Sequence, residues 1–75
     1  MRRATFYSAY METRSFTFEA YGTTEAEALE VLRLAVLKHC RQTGADREYM
    51  LEGLQDITPQ PRTVGHAYRD RERFR

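Results

Sequence analysis

Cysteine occurs once in the 75 residues, at Cys40. No intrachain disulfide can form, which excludes a disulfide-stapled secreted scaffold and fits a reducing compartment, the cytoplasm. No apolar run approaches the roughly 18 residues of a membrane span. Arg2 and Arg3 follow Met1 without an apolar stretch behind them, so the start does not read as a signal peptide. Large aliphatic and phenylalanine side chains are scarce: Leu, Ile, Val and Phe together number 14. That scarcity would suggest disorder if the net charge were high, but the net charge is only +1 and five tyrosines add apolar bulk. The expectation is one folded domain with a thin core, stabilised by about 3–5 kcal/mol. Such a core favours completion by a partner or by a second copy.

Lysine is also nearly absent, with one against eleven arginines. Arginine presents a planar fork of donors to carboxylate or phosphate. The charges are unevenly spread. Residues 12–61 carry five basic and nine acidic side chains, whereas residues 62–75 carry five arginines against Asp70 and Glu72. An acidic body with basic ends is an interaction pattern rather than a uniform nucleic-acid surface.

Residues 4–11 and 14–21 are rich in β-formers and predict an antiparallel hairpin turning at Glu12-Thr13. That turn pairs Tyr7 with Phe18 and Ala9 with Phe16 on the buried face. One added loop residue would instead bury Phe6, Ser8 and Tyr10. Thr24-Glu25-Ala26-Glu27 has the form of a capping box, in which the Thr24 hydroxyl accepts the Glu27 amide and the Glu27 carboxylate returns to the Thr24 amide. It opens a helix over about 25–43, which Gly44 stops. Ala28, Leu29, Leu32, Ala35, Val36, His39 and Cys40 form the apolar stripe that covers the sheet. Glu27, Glu30, Lys38 and Arg41 lie opposite, with Leu34 among them and Val31 and Leu37 at the margins.

After Gly44, Asp46 caps a short helical turn, Leu54 to Ile57 reads as a third strand, and Val64 to Tyr68 as a fourth strand or an extended arm. Pro59 and Pro61 lack ladder donors and place the third strand at an edge. Residues 69–75 alternate in charge and read as a solvated tail. The fold class is therefore α+β: an antiparallel sheet of three to four strands on one main helix, in β-β-α-β order, with a single domain over 1–68 and a charged tail over 69–75.

Catalytic and metal chemistry find little footing. His39 and Cys40 are adjacent on the helix, about 100° apart, and no Cys-x-x-Cys or His-x-x-x-His spacing occurs. The negative end of the helix dipole disfavours a Cys40 thiolate. There is no glycine-rich phosphate loop and little room for a cavity of ~300 Å3. No catalytic residue, metal or cofactor is expected. Two binding surfaces are. One is the outer helix face around Glu30, Leu34, Lys38 and Arg41, with an exposed Leu34 as anchor inside a charged rim. The other is the C-terminal arm with Tyr68, Arg69 and Arg71. Arg62, Arg69, Arg71, Arg73 and Arg75, interleaved with Tyr68 and Phe74, would also suit a phosphate backbone.

The β-β-α order with Gly22-Thr23-Thr24-Glu25-Ala26-Glu27-Ala28 at the start of the helix resembles the HicB-type antitoxin domain over about half the chain. The same body, with its acidic surface and the closing segment Gly65-His66-Ala67-Tyr68-Arg69-Asp70, is similar in style to small phage and mobile-element proteins, anti-CRISPR proteins among them. The second resemblance implies a non-enzymatic inhibitor that occupies the surface of a host protein or ribonucleoprotein complex. The first implies a nucleic-acid-binding or antitoxin-like regulator.

Overall fold

A computed structural model describes residues 4–75; the two N-terminal arginines that give the chain its basic start lie outside them. The chain runs through β1 (Thr5–Glu12), β2 (Thr17–Gly22), α1 (Glu25–Thr43), α2 (Arg47–Gly53), a 3-10 turn (Leu54–Asp56), β3 (Gln60–Thr63), β4 (Ala67–Arg69) and β5 (Glu72–Phe74). β1 lies between β2 and β3 in an antiparallel sheet, and β4 and β5 form a separate hairpin. The α+β class with a three-stranded sheet and one main helix is as the sequence implies.

α1 begins and ends where its caps dictate. Thr24 Oγ1 accepts the Glu27 amide at 3.1 Å, and Gly44 adopts φ 75° with its amide donating to the Cys40 carbonyl. The expected capping box is shifted at its second bond: the Glu27 carboxylate accepts the amide of Thr23, at 2.7 Å, instead of that of Thr24. α2 is capped as expected, with Asp46 accepting the Tyr49 amide.

The first hairpin keeps the expected face but not the expected register. Tyr7 pairs with Gly22, Ala9 with Ala20 and Met11 with Phe18. The reason lies in the loop. Thr13 closes residues 13–16 from both sides, its amide and hydroxyl donating to the Phe16 carbonyl at 2.8 and 2.7 Å while its oxygen accepts the Phe16 amide. The loop therefore has four residues, not two. A shift of four positions preserves side-chain parity, so Ala9, Met11 and Ala20 still face α1.

The core is Ala9, Met11, Ala20, Ala28, Leu32, Val36, Cys40 and Met50, with Leu32 and Val36 its largest fully buried side chains. Ala35, expected inside, is exposed. His39 is half-buried at the core's edge, edge-on to the rings of Phe16 and Phe18 with centroids 4.7 and 5.2 Å away. The expected third strand at Leu54–Ile57 is instead a 3-10 turn running into extended chain, and the strand forms six residues later, through Pro61. β3 lies at the sheet edge, where a residue without an N–H is tolerated.

Residues 69–75 are not a tail. Ala67 pairs with Phe74, Tyr68 with Arg73 and Arg69 with Glu72. The turn is Asp70-Arg71, both at positive φ (52° and 67°), the sign a two-residue hairpin of the primed type requires. The described chain measures 46 × 22 × 20 Å with a radius of gyration of 13.6 Å, against about 11 Å for a compact domain of this length. Its accessible surface is 6007 Å2, against about 4800 Å2 expected from its mass. The extra surface accords with a thin core and with β4 and β5 forming a two-stranded unit of their own outside the three-stranded sheet.

Candidate functional site

The two expected surfaces lie on opposite sides of the sheet. α1 covers the face bearing Ala9, Met11 and Ala20, while the β4–β5 hairpin folds back toward the face bearing Phe6, Ser8 and Tyr10.

On α1, Glu30, Leu34, Lys38 and Arg41 are all exposed. Leu34 is 53% exposed and is not covered by the chain's own C-terminal segment. Val31, treated as marginal in the sequence, is 43% exposed and joins Leu34 in one apolar patch. Glu30 is gripped by Arg33, whose Nε and Nη2 donate to its two carboxylate oxygens at 2.9 and 2.6 Å. This bidentate bond holds Glu30 below the usual carboxylate range. Glu30 thus presents a neutralised pair, and the unmatched charge of this face comes from Lys38 and Arg41 at one end and Glu27 at the other.

On the hairpin, three guanidinium groups lie over aromatic rings: Arg62 over Tyr68 at 4.4 Å, Arg69 over Phe74 at 4.3 Å and Arg71 over Tyr10 at 4.4 Å. Two hydrogen bonds fix the hairpin to the sheet. Arg62 Nη2 donates to the Arg71 carbonyl at 2.8 Å, and the Thr63 amide donates to the Tyr68 hydroxyl at 2.9 Å. Between hairpin and sheet runs an open groove of about 450 Å3, bordered by Ser8, Tyr10, Gln60, Arg62, Asp70 and Arg71. The core leaves no room for such a volume; the fold makes it by laying one layer over another. Sequence reasoning named Tyr68, Arg69 and Arg71, and Arg62 among the arginines suited to a phosphate backbone, but not Tyr10, the ring beneath Arg71. The available signal was the spacing: two strand-like triplets, Ala-Tyr-Arg and Glu-Arg-Phe, two residues apart.

The outer sheet face carries two tyrosine–carboxylate pairs. The Tyr10 hydroxyl donates to Glu12 at 3.0 Å, and the Tyr21 hydroxyl donates to Glu19. Each hydrogen bond raises the phenol above its ordinary value of about 10. A raised folded-state pKa contributes stability that is complete below pH 10 and is lost as pH rises through the folded value. Titration of phenolate absorbance should show two steps above the ordinary phenol value, from Tyr10 and Tyr21, and Tyr10→Phe should remove one of them.

Among the described residues, no group of three or more His, Cys, Asp or Glu side chains is placed to hold a metal ion, and no helix is long and apolar enough to cross a membrane. Cys40 is a free, buried thiol. The class defined here is a small α+β domain with two separate polar-apolar surfaces. Comparison with protein-family models, curated proteins and solved structures finds no match.

Proposed function

We propose that the chain is a non-enzymatic protein of the phage or mobile-element kind that binds a host protein or ribonucleoprotein complex in the cytoplasm and inhibits it, as anti-CRISPR proteins do. The observation that carries this reading is the ordered cationic hairpin. Arg62, Arg69 and Arg71 are laid over rings before any partner arrives, so little side-chain freedom remains to be lost on docking. Arg71 holds φ 67°, a conformation disfavoured for any side chain with a Cβ. Strain of this kind concentrates at functional positions. A guanidinium fork there suits a carboxylate- or phosphate-bearing surface.

The second reading is a nucleic-acid-binding or antitoxin-like regulator that uses the same strip. Its support is the run of arginines with Tyr68 and Phe74. Against it, Asp70 and Glu72 interrupt the charge, and the rings of Tyr10, Tyr68 and Phe74 already carry a guanidinium on one face, where a base would stack.

The test is capture from host-cell lysate on the immobilised protein, with and without nuclease. Wild type should retain a protein complex after nuclease treatment. Arg69→Ala with Arg71→Gly should lose it; glycine suits the positive φ at 71, and although the stack on Tyr10 goes, the bonds from Arg62 to the residue-71 carbonyl and from the Thr63 amide to Tyr68 still hold the hairpin to the sheet. Capture abolished by nuclease, with binding to bare nucleic acid that falls steeply with salt, would transfer the assignment to the regulator.

A further inference from the structure

The outer side of α1 carries a pattern that the hairpin reading does not use. Glu27, Val31, Leu34, Lys38 and Arg41 are spaced 4-3-4-3, the spacing of a two-helix seam, and all five are exposed. The seam has an apolar centre, an acidic N-terminal end and a basic C-terminal end. We infer that this seam pairs antiparallel with the same seam of a second copy of the chain.

Charge decides both the occupant and the direction. In a parallel pair, Glu27 would meet Glu27, Lys38 would meet Lys38 and Arg41 would meet Arg41. In an antiparallel pair the layers become Glu27 on Lys38, Val31 on Leu34, Leu34 on Val31 and Lys38 on Glu27. Arg41 then reaches the N-terminal end of the opposite helix, where Glu25 adds negative charge. Every layer is matched by its own symmetry mate, as a two-fold interface demands. Antiparallel helix dipoles add a favourable term. The bidentate Glu30–Arg33 pair beside the seam is self-neutralised and opposes neither direction.

The seam spans about 21 Å of helix, at 1.5 Å per residue. At a helix width of about 10 Å the strip covers roughly 210 Å2, well under a standard interface of about 800 Å2 per partner, so the dimer is weak and should form between high-micromolar and millimolar protein. It leaves both hairpins free on the far sides of their sheets. Self-pairing and hairpin binding therefore stand or fall separately.

Sedimentation equilibrium across that concentration range tests the inference. Wild type should pass from 8.9 kDa to twice that mass. Leu34→Lys should remain monomeric. Lys38→Glu, an exposed change that leaves the core untouched, turns two attractive layers repulsive and should weaken association about tenfold. Glu27→Lys opposes its own kind in the same way, though it also gives up the helix-cap bond from the Thr23 amide; an equimolar mixture of folded Glu27→Lys and Lys38→Glu chains should form the heterodimer. Helix content by circular dichroism identifies folded variants. Wild type monomeric throughout, or Lys38→Glu associating as strongly as wild type, would overturn the inference. So would folded single variants that fail to pair with each other.

Discussion

Leu32→Ala is expected to unfold the domain at room temperature. Leu32 is fully sequestered, and among the described residues only Val36 matches it in the core for size and burial. The remaining core positions are alanines, two methionines and a cysteine. Truncating a buried leucine costs about 2–5 kcal/mol through lost transfer energy and the cavity left behind. A chain of this size has about 3–5 kcal/mol in all. Two positions along, Leu34→Ala should change stability by no more than about 0.5 kcal/mol in the monomer, because its side chain lies outside the core and is 53% exposed. Helix ellipticity against urea separates the two: no folded baseline for Leu32→Ala, and a near-native midpoint for Leu34→Ala. Comparable midpoints would mean that α1 is not seated as described.

Gly22→Ala should be the second severe change. Gly22 ends β2 where the chain turns into α1, and it is buried. A Cβ there would lie 2.5 Å from the Ala28 amide nitrogen and 2.8 Å from the Glu27 Cβ. The obstruction includes the backbone of the helix's first turns, which cannot step aside without lifting α1 from the sheet. Overpacking of this kind costs about 3 kcal/mol, a fall in Tm of more than about 10 °C for a domain this small. Gly44→Ala is the instructive contrast. Its Cβ meets nothing within 4 Å, and the penalty is only that of φ 75°, about 1 kcal/mol. Thermal melts of the two variants should therefore differ widely although both replace glycine by alanine.

Gly22 also shows what kind of information the sequence carries. In the sequence it is only a glycine following the second predicted strand; its closeness to Ala28 is a tertiary fact. Local signals were legible where they are self-contained. Thr24 and Gly44 set both ends of α1 through bonds made within one turn of the helix. The alternation of Phe16, Phe18 and Ala20 chose the correct sheet face, but Phe16, expected on the buried face opposite Ala9, falls in the four-residue loop and is 51% exposed. The register did not follow from alternation, because Thr13 decides it through three bonds within its own loop. The C-terminal third was least legible. Pro61 argues against a strand until it is known to sit on an edge, and Asp70-Arg71 lacks the glycine that announces a primed turn. The charge alternation of residues 69–75 reads as solvated tail for the same reason that it makes a hairpin: neither form buries those side chains. At the candidate sites, exposure of Leu34 was readable from helical phase. The guanidinium–ring stacks were not, since Arg71 and Tyr10 are brought together only by the folded-back hairpin.

Neither strand of the β4–β5 hairpin contains a fully buried residue. Detaching it uncovers little apolar area, so that event carries almost no heat capacity, whereas losing the α1 core carries nearly all of it. Warming should therefore erode the hairpin gradually over a broad interval, while the helix and three-stranded sheet give way together in one narrow transition.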